Sequence, residues 1–329
     1  MLTTTDIPNL PAGYTARRPT HDDIPAILAV IAACDIEEAG SADEFTAEDI
    51  ENDWKRTDPN ENAYVVCAPD GSLIASATVY PEGEARVNLD VYILPEHRGH
   101  GLGTSLTHAL ELRAREILAD APADARLTTH TGVNTSNRHA TELLENEGYT
   151  VVRHFWQMRI EMEAPPPAPV WPEGVTVRAC VRGQDERPIF DTIEEAFEDH
   201  WGHVTHEYDE WYAMNVASES YDPALWFLAI AGDEPAGAVR GRLRGDEGWI
   251  NTLGVRRLWR RSGLGMALLL QAFAAFYAVG ARAVALGVDA RNPTGATRLY
   301  ERAGMRVSRQ FTVYEKELRP GVESDDLRR

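Results

Sequence analysis

The chain has 329 residues, 43% hydrophobic and 26% charged, with a formal net charge of −20. That balance fits a folded chain of two ordinary domains rather than a disordered one. So large an acidic excess excludes a nucleic-acid partner, which wants a basic face.

No apolar run reaches the roughly 18 residues of a membrane helix, so no membrane partner is expected. The start, MLTTTDIPNLPAG, has neither the basic nor the apolar region of a signal peptide, and a cytoplasmic location is expected. The cysteines, Cys34, Cys67 and Cys180, are scattered and give no disulfide framework or metal spacing; no metal is expected. Lys55 and Lys316 are the only lysines, an arginine bias typical of a GC-rich bacterial genome.

Along the chain, Tyr14–Arg18 reads as a short strand, and Asp22–Glu38 and Thr46–Arg56 have helical period. Strand-like runs follow at Asn62–Ala68, Leu73–Tyr80 and Glu84–Ile93. Gly101–Ala119 is a long amphipathic helix, Arg126–His130 a strand, Thr135–Glu147 a helix, and Tyr149–Met162 closes as strand. The proline-rich stretch EAPPPAPVWPEG, residues 163–174, reads as a linker.

The same order then repeats. Val175–Arg178 is a strand, and Asp185–Glu198 and His206–Val216 are helices. Leu225–Ile230, Pro235–Arg242 and Gly248–Val255 are strands, Gly263–Gly280 the long helix, Ala283–Val288 a strand, Asn292–Ala303 a helix, and Met305–Leu318 strand again. Arg98 and Arg260 lie 162 positions apart, Gly148 and Gly304 156, so the halves run nearly in register. The expectation is an α/β fold with a mixed sheet in two tandem domains, 14–162 and 175–318, followed by a fraying tail, 319–329.

Each half carries a loop of the form Arg-x-x-Gly-x-Gly that opens its long helix: RGHGLG from Arg98 and RRSGLG from Arg260. The first turn of a helix has free N–H groups and a partial positive charge, and glycine lets the backbone approach an anion closely. Arg260 and Arg261, with Arg256 and Arg257 nearby, make a basic cluster in an acidic chain and point to a phosphate ligand. The loop is neither a Walker A motif nor a G-x-G-x-x-G fingerprint, and by itself it also fits a plain strand-to-helix turn.

The surroundings narrow this. LGVRRLWRRSGLG (Leu253 to Gly265) and VYILPEHRGHGLG (Val91 to Gly103) resemble the acetyl-CoA motif of the GCN5-related N-acetyltransferase superfamily. LGVDARNPTGATRLYERAGM, Leu286 to Met305, resembles its second motif. The resemblance spans about Tyr14 to Leu318, and the tandem arrangement is similar to that of the mycothiol synthases. It implies acetyl-CoA as co-substrate. In the second half, Leu253, Gly254 and Val255 would meet the acetyl and pantetheine part. Arg260, Arg261, Ser262, Gly263, Leu264, Gly265 and Met266 would cradle the pyrophosphate, and Asn292 would bond the pantetheine arm. Tyr300 would protonate the leaving thiolate; the plainer reading of its ring is core filling. In the first half the corresponding cradle is Val91, Ile93, Arg98, Gly99, His100, Gly101 and Gly103.

The first half departs from the pattern. Leu144 stands where the second half has Tyr300, and position 292 maps to Ser136 or Asn137. Leucine cannot protonate a thiolate, so catalysis is expected in the second domain, with the first degenerate. For the acceptor, Glu194, Glu195 and His200 in the loop EEAFEDHWGHVTHEYDEW are candidates to hold or deprotonate an amine. His200, His203 and His206 are ordinary solvated histidines before they are a metal site. A base carried four residues before Leu253 in some members is replaced here by Trp249, which leaves Glu247 or water. The expected activity is acetyl transfer to a primary amine of a small molecule, with the mycothiol synthase type as an alternative. A non-catalytic acyl-CoA-binding protein is the alternative of another class. A monomer with pseudo-dimeric domains and a homodimer both fit the repeat.

Overall fold

A computed structural model describes residues 7–42, 45–198, 200–201, 205–292 and 294–322. The chain divides into two compact units. The first holds what is described up to His154 together with the segment from Gln310 onward; the second is Phe155–Arg309.

The first unit begins with β1 (Thr15–Arg17), α1 (Ile24–Ala39), α2 (Ala47–Arg56) and a single turn, α3 (Pro59–Asn62). Then come β2 (Ala63–Cys67), β3 (Leu73–Glu82), β4 (Arg86–Ile93), α4 (Leu102–Ile117), β5 (Leu127–Asn134), α5 (Arg138–Asn146) and the start of β6 (Thr150–Glu161). Local chemistry sets several boundaries. Thr46 caps α2 in a box with Asp49, each side chain bonding the other's backbone N–H. Gly40 ends α1 in the left-handed region, φ 77°.

The second unit repeats the order with β7 (Val175–Ala179), α6 (Glu186–Phe197), α7 (Tyr208–Asn215), β8 (Trp226–Ala231), β9 (Glu234–Arg244) and β10 (Glu247–Val255). It continues with α8 (Leu264–Ala278), β11 (Ala283–Asp289), α9 (Ala296–Arg302) and β12 (Arg306–Arg319). Its core is built on Phe273, Phe276 and Leu268 of α8, all fully buried. Phe276 lies so close to the sheet that a Cβ at Gly241 or Gly248 would come within 2.5 or 2.6 Å of its ring. Those two glycines are what lets the ring in.

The units do not follow the repeat at its ends. Phe155–Glu161 of β6 pairs antiparallel with β11 inside the second unit. Residues 311–319 of β12 pair antiparallel with β5 inside the first. Each unit therefore takes its last strand from the other half of the sequence. The strand order is β1-β2-β3-β4-β5-β12 in the first unit and β7-β8-β9-β10-β11-β6 in the second.

Side chains fix the borrowed β12. Lys316 pairs with Glu111 of α4 at 2.7 Å. Glu315, opposite His130 in the ladder, accepts from His130 at 2.8 Å and from Arg126 at 2.6 Å. These bonds, first that from His130, hold its carboxyl down at about 2. A carboxyl depressed in the fold stabilises it above its unfolded value, and the gain fades as pH falls toward the folded one. Glu315→Gln is expected to cost about 1–3 kcal/mol at pH 7. In urea unfolding curves the difference from wild type closes between pH 5 and about 2.

In both units a parallel strand pair opens. β4 and β5 pair only through Arg86–Asn88 with Thr128–His130, and β10 and β11 only through Glu247–Ile250 with Ala283–Leu286. Beyond those rungs the strands part, and β10 also takes a bulge between Ile250 and Thr252. The parted ends leave strand-edge N–H and C=O groups to be satisfied by something other than a ladder.

Candidate active site

The glycine loop of the second unit follows the parted end of β10. Arg261 (φ 64°) and Gly263 (φ 93°) both adopt the left-handed region, and Gly263 is the residue from which α8 starts. In the first unit the same two positions are Gly99 (φ 78°) and Gly101 (φ 84°). A non-glycine there costs about 1–2 kcal/mol; Arg261 holds a conformation that its counterpart holds freely. The alternation turns backbone N–H groups toward the helix start, the geometry of an anion nest. Ser262 bonds back to the Trp259 carbonyl at 2.6 Å. Gly265 has a different duty: a Cβ there would stand 3.1 Å from Leu299 of α9, as one at Gly103 would stand 2.6 Å from Leu143 of α5.

The leading arginines brace the loop. Arg260 donates to the carbonyls of Val255 (3.1 Å) and Ala196 (3.0 Å), tying the end of β10 to α6. Arg98 donates likewise to the Ile93 carbonyl at 3.2 Å and pairs with Glu37 and Glu38 of α1. Two more arginines of the basic cluster read from the sequence are paired: Arg256 with Glu195 at 2.5 Å and Arg257 with Glu198 at 3.2 Å.

Tyr300 sits on α9 and is 7% exposed, and burial pushes its phenol up to about 12. Its counterpart is Leu144, also buried: the Tyr300 carbonyl accepts from Met305 N–H at 3.0 Å, and that of Leu144 from Tyr149 N–H at 2.9 Å. Asn292 accepts from the backbone and hydroxyl of Thr294 at 2.8 and 2.5 Å. Asn134 makes the same turn, accepting from Ser136 N–H at 3.1 Å and its hydroxyl at 2.9 Å. The strand register keeps the offset of 156 through this segment, with Thr128 opposite Arg86 and Val284 opposite Gly248, so Asn292 still maps to Ser136, with Asn137 one residue on, and Asn134 makes the same turn at a different position. Asn137 instead caps α5 through Ala140 N–H at 3.0 Å and donates to Glu38 at 2.5 Å.

In the first unit the parted strands bound a cavity of about 340 Å³. Leu89–Ile93 line one side and Thr131–Asn134 the other, and Arg98, Gly99, Gly101 and Gly103 close one end. Leu144 and Tyr149 face it as well. The Tyr149 hydroxyl accepts from Thr129 at 3.3 Å, and burial raises its phenol.

Two segments of the chain, 29–149 and 187–305, match the model of the acetyltransferase (GNAT) family. The chain belongs to that family. Among its relatives, a mycothiol acetyltransferase of Streptomyces scabiei (strain 87.22) is 34% identical over 70% of this chain and 69% of its own length. One from Salinispora arenicola (strain CNS-205) is 31% identical over 81% and 86%. A solved GCN5-related N-acetyltransferase from Sphaerobacter thermophilus is 40% identical, covers 96% of this chain and 99% of its own, and superposes with TM-score 0.84. A tandem GNAT protein from the clavulanic acid biosynthesis pathway has the same fold: TM-score 0.70, 15% identity, 94% and 100% covered. The protein is an N-acetyltransferase of this family, whose acyl donor is acetyl-CoA.

The GNAT framework sorts the acceptor candidates. Asn292 and His200 come together, with Asn292 Nδ2 and His200 Nε2 3.5 Å apart. Glu194 receives His206 Nδ1 at 3.4 Å, and Glu195 is held by Arg256. Glu247 is not brought to this end. It begins β10, roughly 26 Å from Val255 at ~3.3 Å per residue, and pairs with Arg159 at 2.6 Å. His203 lies outside the described residues, among which no group of acids, histidines and cysteines has metal-site geometry. No described helix is long and apolar enough to cross a membrane. Sequence reasoning passed over Asp90 and Tyr92 in the first GNAT unit, both of which line its cavity.

Proposed function

We propose that this enzyme transfers the acetyl group of acetyl-CoA to a primary amine of a small molecule, by direct attack on the thioester, and that the second unit carries the reaction. The observation behind this is Tyr300. It lies on the helix packed beside the glycine loop, is enclosed by core side chains, and has a phenol that stays protonated at any working pH. A neutral amine attacks the thioester carbon, and a strand-end N–H such as that of Val255 stabilises the oxyanion. The C–S bond breaks, the Tyr300 hydroxyl supports the leaving thiolate, and the proton shed by the attacking nitrogen restores neutrality. His200, beside Asn292, is the nearest candidate to carry that proton out.

A second reading, acetylation in mycothiol formation, is favoured by relatives of that name at 34% and 31% identity. One assay tests both: CoA release measured against a panel of primary amines that includes mycothiol lacking its acetyl group. Turnover of that compound above the rest selects the second reading, and turnover of other amines the broader one. A chain that binds acetyl-CoA and turns over no member of the panel refutes both.

A further inference from the structure

Arg240 of β9 is a cation shut into the second unit without an anion against it. It is 8% exposed and lies between the rings of Trp211 and Trp226, whose centres are 5.2 and 5.1 Å from its guanidinium carbon. A guanidinium has five N–H donors. One runs to the Asn215 side-chain oxygen at 2.7 Å and one to the Thr252 hydroxyl at 3.0 Å, both uncharged acceptors. Nε is closed off from solvent and has no acceptor at all. Among the described residues Arg240 forms no ion pair, and Glu194 of α6 acts on it only from a distance. Burial pushes the guanidinium down to about 10, which leaves it charged at neutral pH. Two indole faces and two neutral oxygens compensate a buried charge only in part.

Packing alone does not call for an arginine here. Arg240 is opposed to Thr252 in the ladder; 162 positions earlier, the spacing of Arg98 and Arg260, the opposed pair is Thr78 with Asp90. The first unit therefore builds the same place with threonine where the second has the guanidinium. Its charge there has the other sign, and Asp90 is pushed up to about 7 by burial and then by Asp53 of α2.

The place is also close to the chemistry. A Cβ at Gly254 would stand 2.9 Å from Ala196 of α6, and Gly254 is opposed to Ala238, two residues from Arg240. Arg240 thus lies on the side of the sheet that α6 covers, the side of the acceptor candidate Glu194. Thr252 follows the bulge of β10 and precedes Val255 by three residues, roughly 10 Å of strand. Asn215 is half-buried at the end of α7, so it is the partner of Arg240 most easily moved.

We propose that the acceptor carries a carboxylate as well as its amine, and that this carboxylate replaces the Asn215 oxygen on Arg240 and accepts the Thr252 hydroxyl proton. Acetyl transfer in the second unit is presupposed; the carboxylate defines the class of amine it serves, one whose two ends are several bonds apart. The planar fork of arginine matches a carboxylate. Thr252, which accepts from Arg240, still has its own proton to give.

The test has two arms, and one needs no turnover. In the full chain with ¹⁵N-labelled arginine, the Arg240 Nε–H signal, assigned from its loss in Arg240→Lys, is followed while 6-aminohexanoate or n-pentylamine is added. A saturable shift is expected with 6-aminohexanoate and none with n-pentylamine at matched pH and ionic strength. In the second arm CoA release is measured with the same two amines. kcat/KM for 6-aminohexanoate is expected to exceed that for n-pentylamine by about 10–100-fold, mostly through KM. The ratio should fall toward one in Arg240→Gln and lie between in Arg240→Lys, which keeps the charge and loses the fork. An Nε–H signal unmoved by 6-aminohexanoate, or moved equally by n-pentylamine, overturns the proposal even in a chain that acetylates amines. A selective shift in a chain that turns over neither amine upholds the carboxylate site and counts against the transfer reading instead.

Discussion

Replacing Tyr300 by phenylalanine is expected to lower kcat by about 10²–10⁴, the usual worth of a positioned proton donor, while thermal stability and acetyl-CoA affinity stay near wild type. The ring is enclosed in the core, and phenylalanine fills the same volume, so packing survives. Only the hydroxyl goes. In the wild type that hydroxyl keeps its proton up to about pH 12, so its ionisation cannot shape activity in the neutral range. Between pH 6 and 9 the profile then belongs to the amine and whatever receives its proton, and the variant should show a depressed profile of unchanged shape. Steady-state kcat, acetyl-CoA binding by calorimetry and a melting curve separate these outcomes. A kcat within twofold of wild type, in a folded variant, removes Tyr300 from the chemistry and with it the reason for preferring the second unit.

What was legible in the sequence was local. Two glycines before an apolar helix fix a left-handed turn wherever they occur, and Gly101 and Gly263 stand where the motif put them. The repeat was legible because equivalent elements must bury equivalent faces. The exchange of β6 and β12 was not, since a strand's alternation states which face it buries but not which neighbour it pairs with. The arginines have a bracing role that the motif does not state. A guanidinium beside an anion-binding loop suggests a phosphate contact, and Arg98 and Arg260 also donate to strand-end carbonyls, which no sequence pattern announces. Asp90 was hidden by its own pattern: RVNLDVYI alternates like a strand with one wet face, and only the helices laid over that face make its carboxyl unusual.

The consequence is a stability effect opposite to the usual one for losing a charge. Asp90 titrates near 7 in the fold and near 3.9 in an unfolded chain. Between those values the unfolded chain gives up a proton that the fold retains, so folding weakens as pH rises from about 4 to about 7 and then levels off. A shift of about three units corresponds to ~4 kcal/mol. Solvent reaching the carboxyl through the cavity reduces this, and ~1–3 kcal/mol is a fair expectation. Asp90→Asn keeps the shape and removes the charge. The variant should therefore melt several degrees above wild type at pH 8 and no higher than wild type at pH 4. A variant less stable than wild type at pH 8 would mean that the carboxylate already has a partner.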